Sequence, residues 1–153
     1  MQEYTLSIIK PDAIKRNLTG KILSMLEDNG FTLIAVKMVK MTKKDAQSFY
    51  YVHRKKPFYE SLCNFMASTP VVVMILSKQN AIEELRTLMG STNPEAAASL
   101  TIRKKHGLTI EQNSIHGSDS LDSAKREIAF FFSEYEISHL ELILESNLDA
   151  IVR

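Results

Sequence analysis

A single histidine stands in the stretch "NSIHGSDS", which runs from Asn113 to Ser120. A histidine has two distinct ring nitrogens and an ordinary pKa near neutrality, so His116 can serve as a base, a metal ligand or a nucleophile. The neighbouring Gly117 permits a tight turn and the close approach of a substrate. A helical pattern follows, so we expect His116 where a strand meets a helix terminus that favours anions. The same residue types also fit a histidine that only hydrogen-bonds within a turn.

The other histidines and the cysteine predict no metal centre. The histidines lie far apart in the sequence, at His53, His106, His116 and His139, without a CxxC or HxxxH pair. A structural zinc site needs about four ligands at recognisable spacing. Cys63 lies in the apolar pattern "LCNFM", which is typical of a core position. A metal site built from protein ligands and a Cys-His hydrolase are therefore both disfavoured.

Three cations are candidates for binding one anion together. Lys10 ends the first predicted strand, Arg86 lies in a helix with few other basic residues, and Arg103 lies in a long loop. Each alone also fits a solvated surface charge. Polyphosphate chemistry needs several cations around one anion. Because the chain has five glycines and neither GxxxxGK[ST] nor GxGxxG, any nucleotide site would lack a glycine-rich cradle.

Hydrophobic periodicity and breaker residues predict the elements that position these side chains. Strands are expected near 4–10, 31–41, 71–76 and 113–116, and helices near 19–29, 42–51, 58–66, 80–89 and 120–132. Thr19 and Ser120 are predicted N-caps, and Thr42 with Asp45 resembles a capping box. The stripe of the helix after Ser120 is expected to be Leu121, Ala124, Ile128, Phe131 and Phe132. Residues 91–112 are predicted to be an irregular loop.

The order of these elements predicts the fold class. Without the helical pair at 42–66, the order is βαββαβ, the ferredoxin-like α/β (α+β) arrangement. We therefore expect one four-stranded antiparallel sheet with helices on one face, plus the inserted helical pair. A last amphipathic helix is predicted beyond Ser133, with its stripe at Ile137, Leu140, Leu144, Leu148 and Ile151.

Composition narrows the classes of protein. The chain has 153 residues with 44% hydrophobic and 24% charged side chains, which suits one globular domain, residues 1–153, with 134–153 as a C-terminal helical extension. A formal charge of +1 disfavours a general nucleic-acid binder. One cysteine excludes an internal disulfide and fits a reducing compartment. With no signal peptide and no apolar run near the roughly 20 residues of a membrane span, a cytoplasmic protein without a membrane partner is expected.

Six segments, in this order and at this spacing, resemble the nucleoside diphosphate kinase family. They are "SIIKPDAI", "HRKKPFYESL", "LMGSTNP", "TIRKKHG", "NSIHGSDS" and "AKREIAFFF". The resemblance runs from about Tyr4 to Phe132. It implies transfer of the γ-phosphoryl group of ATP, or another nucleoside triphosphate, to a nucleoside diphosphate through phosphohistidine at His116 in a ping-pong mechanism. Mg²⁺ would arrive as a cofactor that bridges the phosphates of the nucleotide.

The resemblance also implies roles for other side chains. Lys10 has a catalytic role and, with Arg86 and Arg103, surrounds the phosphates, while Thr92 adds a hydroxyl donor. Asn113 contacts ribose and phosphate. A second set completes the site: Phe58 stacks on the base, Glu127 is the catalytic carboxylate that holds the His116 ring, Tyr50 and His53 line the site, and Ser118 supplies a hydroxyl near the histidine and the carboxylate.

Two departures from the family pattern concern assembly. Where many relatives carry proline-glycine before the arginine, this chain has Ser99 and Leu100, and where they carry an acidic residue after it, this chain has Lys104 and Lys105. The family uses this loop in subunit contacts. A homo-oligomer is therefore expected, either a tetramer or a hexamer, and the sequence does not determine how its subunits are arranged.

Two other functions remain as alternatives. A nucleotide-binding regulator would keep the pocket and bind diphosphates without forming a phosphoenzyme. A nucleic-acid-binding module would use a basic surface of Lys37, Lys40, Lys43, Lys44 and residues 54–56, and would bind with steep salt dependence. Because the net charge is near zero, nucleic-acid binding would be a secondary activity at most.

Overall fold

The computed structural model describes residues 2–138. Its strands are β1 (Gln2–Ile9), β2 (Thr32–Val39), β3 (Val71–Gln79) and β4 (Ile115–Gly117). Its α-helices are α1 (Pro11–Lys15), α2 (Thr19–Asp28), α3 (Lys43–Phe49), α4 (Tyr59–Met66), α5 (Ala81–Met89), α6 (Ile102–His106) and α7 (Leu121–Phe131). Short 3₁₀ turns lie at Tyr51–His53 and Pro94–Ala96. Within residues 2–138, no helix is long and apolar enough to cross a membrane.

The four strands form one antiparallel sheet in the order β2-β3-β1-β4. This order and the α+β architecture confirm the predicted ferredoxin-like fold. Strand β1 lies in the interior of the sheet, where Ile8 pairs with Val73 of β3 on one side and with His116 of β4 on the other. The pairing with β4 therefore fixes the position of His116.

Both faces of the sheet are covered: α2 and α5 lie on one face, as expected for the ferredoxin-like core, and the inserted helical pair lies on the other. Strand β3 is buried from Val71 to Ser77, and its successive side chains point to opposite faces. Val72, Met74 and Leu76 pack with residues of α2 and α5. Val71, Val73 and Ile75 pack with α3, α4 and Phe132. A strand apolar on both sides must be covered on both sides, and the inserted helical pair supplies the second layer.

Side-chain caps account for the starts of some of the helices. The Thr42 hydroxyl accepts from Asp45 N, and the Asp45 carboxylate accepts from Thr42 N, which confirms the capping box of α3. Ser120 caps α7 by accepting from Ser123 N. Thr19 is not a cap: it is the first residue of α2, and Leu18 holds the cap position without a side-chain hydrogen bond.

Two further expectations differ from the structure, and a third is tested only in part. The segment 91–112 is not wholly irregular, because the Thr101 hydroxyl accepts from Lys104 N and starts α6. Leu121 does not belong to the buried stripe of α7, since it is 52% exposed at the first turn. The last predicted helix is seen only as helical residues 134–138, and its remaining stripe lies outside the described residues.

Candidate active site

A cavity of about 820 Å³ is lined by residues of α5, α6, β4 and α7 and of the segment between α3 and α4. It gathers predicted site residues from distant parts of the sequence. Those in its lining are Lys10, Tyr50, His53, Phe58, Arg86, Thr92, Arg103, Asn113, His116 and Glu127.

His116 is held by a buried carboxylate. Its Nε2 lies 2.6 Å from Oε1 of Glu127, which projects from α7 and is 4% exposed. Because a carboxylate only accepts hydrogen bonds, Nε2 carries the proton and Nδ1 keeps its lone pair. The rings of Phe49 and Tyr50 pack edge-on against the imidazole, with centroid separations of 5.5 and 6.1 Å. The arrangement is that of an oriented nucleophile or base.

Gly117 is needed for packing. It lies in β4, and a Cβ added there would come within 2.9 Å of Leu85 Cδ2 and of Met89 Sδ. The missing side chain therefore lets α5 approach the strand that carries His116.

Lys10 is a buried cation tied to Asn113. Its Nζ donates to Asn113 Oδ1 at 2.8 Å, and its backbone N–H donates to Ser114 O at 2.9 Å. The Asn113 amide in turn donates to Thr92 O at 3.0 Å and to Ile110 O at 2.8 Å. Burial, followed by repulsion from Arg103, lowers the pKa of Lys10 to about 8. These bonds fix the ammonium group in the cavity wall before any ligand arrives.

Two guanidinium groups form the other cationic wall. Arg103 donates to Gly90 O at 3.0 Å and to Ile115 O at 2.9 Å, while its buried Nε has no hydrogen-bond partner within the described residues. Gly90 has φ 85°, and a Cβ there would lie 2.6 Å from Thr101 Oγ1, so glycine is required where α5 meets α6. Burial, followed by the charge of Arg86, lowers the pKa of Arg103 to about 10. An anion bound between the guanidinium groups of Arg86 and Arg103 would relieve their mutual repulsion.

Aromatic side chains line another part of the cavity. Phe58 is 46% exposed, and its ring centroid lies 5.7 Å from that of His53. The hydroxyl of Tyr50 is buried without a hydrogen-bond partner among the described residues. Burial and the charge of Glu127 raise the pKa of Tyr50, so its hydroxyl stays protonated. An exposed ring and an unpaired donor are groups that a bound ligand can engage.

Ser118 is the predicted site residue that does not line the cavity. It is buried, and its hydroxyl lies 3.3 Å from Leu6 N and 3.4 Å from Leu6 O, so it bonds to the backbone of β1. Among residues 2–138 no hydrogen bond joins it to His116 or Glu127. Its contacts are those of a residue that fixes the end of β4.

Several lining residues were missed by the sequence prediction, namely Ile110, Glu111, Asp119, Ser123 and Arg126. Ser123 lies four positions before Glu127 on α7, so helical spacing alone would have placed both on one face. Ile110 and Glu111 carry no such signal, because a long loop brings them to the cavity. The Asp119 carboxylate accepts from Ser123 and Ser120, and these bonds lower the pKa of Asp119.

Within residues 2–138, no group of three or more His, Cys, Asp or Glu side chains is arranged to hold a metal ion.

Several lysines of the basic surface considered for nucleic-acid binding already contact other groups of the protein. Lys43 pairs with Glu60, and Lys40 donates to Ala67 O. Lys37 pairs with Glu136 at 3.3 Å and lies over the Phe132 ring.

Comparison with known sequences gives one family. The family described as nucleoside diphosphate kinase matches residues 3–137. The nucleoside diphosphate kinase of Persephonella marina is 52% identical over 135 residues, which cover 88% of this chain and 96% of that protein. That of Histophilus somni is 53% identical with the same two coverages, 88% and 96%.

Comparison with solved structures gives the same family as the sequence comparison. The Aquifex aeolicus nucleoside diphosphate kinase superposes with a TM-score of 0.87 at 43% identity, over 89% of this chain and 99% of that one. The enzyme from Encephalitozoon cuniculi gives a TM-score of 0.83 at 36% identity, over 86% and 90%. Sequence and structure therefore point to the same family.

Proposed function

Because this chain belongs to the nucleoside diphosphate kinase family and is a phosphotransferase, we propose that its reaction passes through a phosphohistidine at His116. The observation that carries the proposal is the 2.6 Å contact between His116 Nε2 and Glu127 Oε1 inside a cavity lined by Lys10, Arg86 and Arg103. It leaves Nδ1 free beside the cations that a triphosphate requires.

In the first half-reaction, the Nδ1 lone pair of His116 attacks the γ-phosphorus of a nucleoside triphosphate. The P–N bond forms as the bond to the β–γ bridging oxygen breaks, and that oxygen leaves with its electron pair on the diphosphate. The imidazole gains positive charge during the attack. Glu127 stabilises that charge through the Nε2 proton, and the nearby cations stabilise the charge on the phosphoryl oxygens.

In the second half-reaction, a β-phosphate oxygen of another nucleoside diphosphate attacks the phosphorus. The P–N bond breaks, and its electron pair returns to Nδ1, which restores the free histidine. Transfer in both directions needs alignment and charge stabilisation more than proton transfer, which suits a site whose polar groups are tied to one another before substrate binds.

We assign the nucleotide contacts by the chemistry of each wall. Lys10, Arg86, Arg103 and the Thr92 hydroxyl bind the phosphates, and Asn113 contacts ribose and phosphate. Phe58 stacks on the base, an interaction that every base can make. Tyr50 and His53 support this wall, and Ser118 acts only through the position of β4.

Mg²⁺ is expected as part of the substrate, because Mg²⁺ usually binds phosphates and water together with few protein ligands. We further propose a cytoplasmic homo-oligomer, tetramer or hexamer, in which each chain is one catalytic domain. The loop around Leu100, which the family uses for subunit contacts, supports assembly.

The proposal is tested by labelling the protein with γ-labelled ATP and Mg²⁺. Wild type is expected to keep the label through denaturation, to lose it in acid but not in base, and to transfer it to unlabelled GDP. His116→Ala removes the nucleophile and should take up no label. His106→Ala is the matched control, because His106 lies outside the cavity lining and should label normally.

Two results would contradict the phosphohistidine. Label on the His116→Ala protein would place the phosphoryl group elsewhere. A wild-type protein that binds diphosphates but never carries label would be a nucleotide-binding regulator instead of a kinase.

A further inference from the structure

Glu111 is a carboxylate at the part of the cavity that carries exposed apolar surface. It follows Ile110, which is 61% exposed and lines the same cavity as Phe58. Its Oε1 accepts a hydrogen bond of 3.1 Å from the hydroxyl of Ser61. Ser61 lies one helical turn after Phe58, in the first turn of α4. The bond therefore joins the 110–113 loop to the helix that follows the exposed ring.

The charge of Glu111 is unusual for a cavity that takes a polyanion. Of the other carboxylates in the lining, Glu127 holds His116 and Asp119 accepts from Ser120 and Ser123. Glu111 accepts a hydrogen bond from Ser61 alone, its Oε2 accepts none from the described residues, and its charge attracts the ammonium group of Lys10. A carboxylate repels phosphates, so the part of the nucleotide that Glu111 meets is favoured where it presents hydrogen-bond donors.

We propose that Glu111 binds the Watson–Crick edge of the nucleobase and makes this kinase favour guanine nucleotides. The proposal rests on the function proposed above and adds a specificity-determining residue to the same site. Phe58 and Ile110 offer apolar surface for the faces of a base, and Glu111 next to Ile110 is placed to meet its edge.

Guanine matches a carboxylate better than the other bases do. It presents two adjacent donors, N1–H and the N2 amino group, which two carboxylate oxygens can accept side by side. Ser61 occupies one acceptor position of Oε1 and leaves others open. Adenine and cytosine each offer one amino group beside a ring nitrogen that repels the carboxylate, and uracil offers one N–H between two carbonyls. Hypoxanthine keeps N1–H but lacks the amino group.

The test measures the second half-reaction alone. Phosphoenzyme is prepared with labelled ATP, freed of nucleotide, and mixed with GDP, IDP, ADP, CDP, UDP or dGDP while the loss of label is followed. Wild type should react with GDP about tenfold more efficiently than with IDP or ADP, as expected for one bidentate contact to a base edge. In Glu111→Gln, whose amide no longer offers two acceptors, the GDP-to-IDP ratio should fall close to one.

Glu95→Gln is the matched control, since Glu95 is an exposed carboxylate outside the cavity lining and its loss should leave every ratio unchanged. Equal rates for all bases in wild type would overturn the proposal, as would a Glu111→Gln variant that slows every acceptor by one common factor. A change confined to the GDP-to-dGDP ratio would overturn it too, because Glu111 would then bind the ribose. Failure of the phosphohistidine is separate: it would appear as absence of label before any acceptor is added.

Discussion

At the scale of one residue, the buried Lys10 lowers the stability of the folded protein but strengthens its binding of phosphate. The side chain is 7% exposed, and its pKa is lowered from 10.5 to about 8, first by burial and then by Arg103. A buried ammonium group without full compensation destabilises the fold. The same lost hydration strengthens its attraction for a phosphate, because little water remains to be displaced. The nucleotide completes the set of partners that the folded protein lacks.

The lowered pKa of Lys10 predicts a pH dependence of nucleotide affinity. Above about pH 8 the free protein loses the Lys10 proton, whereas bound phosphate holds it, so the affinity for ADP should fall as pH rises. Between pH 7.5 and 9 we expect a loss of about tenfold, measured by calorimetry. Phosphate groups themselves titrate near pH 6 and lie below this window.

Lys10→Met separates this effect from general pH effects. The variant should bind ADP weakly, and its affinity should not change across the same pH window. A pH dependence that persists would assign the titration to another group.

The free energy of unfolding of the wild-type protein should rise with pH, whereas the affinity for ADP falls. Because the folded pKa lies below the unfolded one, the penalty of the charged lysine is fully present below about pH 8 and disappears as pH rises toward 10.5.

At the scale of elements, the features that were predicted correctly from the sequence depend on residues close together in the chain. The capping box at Thr42 and Asp45 depends on two side chains three residues apart, so a short window contains all of it. The features that were missed depend on tertiary partners. Thr19 has the right type for a cap but enters α2 itself, and the Ser118 hydroxyl binds the distant Leu6. Nothing near Gly117 in the sequence indicates the contact with Leu85 and Met89.

Gly117→Ala tests the packing of α5 on β4. The new methyl group would overlap the buried ends of Leu85 and Met89, so we expect the free energy of unfolding to fall by about 1–2 kcal/mol. The displaced helix carries Arg86, so KM for the triphosphate should rise. Gly20→Ala is the matched control, because no atom lies within 4 Å of its added Cβ and alanine favours the helix. Equal urea stability of wild type and Gly117→Ala would show that the core accommodates the methyl group without cost.

At the scale of the whole molecule, a small net charge coexists with an uneven distribution of charges. The chain sums to +1, yet four cations and three carboxylates line one cavity, and lysines of β2 and α3 lie elsewhere with partners of their own. The resemblance identified the residues of the cationic wall, but it did not identify Ile110 or Glu111. Their place depends on how the segment between α6 and β4 folds back, which periodicity cannot predict.

The loop before α6 contains a strained leucine. Leu100 has φ 69° and is 76% exposed in the chain as described. The left-handed conformation costs a non-glycine residue about 1–2 kcal/mol. Strain of this kind persists where surrounding structure compensates for it. An apolar side chain held outward on the loop for which we propose subunit contacts fits such compensation by a neighbouring subunit.

Leu100→Gly should therefore change assembly and subunit stability in opposite directions. Loss of the side chain removes the proposed contact, so the oligomer should dissociate at a higher protein concentration, as measured by light scattering along a dilution series. Relief of the strain should raise the stability of the dissociated subunit by up to about 1 kcal/mol in urea, because the greater unfolded-state freedom of glycine offsets part of the gain. Leu108→Gly is the matched control: Leu108 lies just after α6 and is 53% exposed without a positive φ, so glycine there should only destabilise the subunit. An unchanged dissociation concentration for Leu100→Gly would mean that Leu100 makes no subunit contact, and the strain would then lack compensation from assembly.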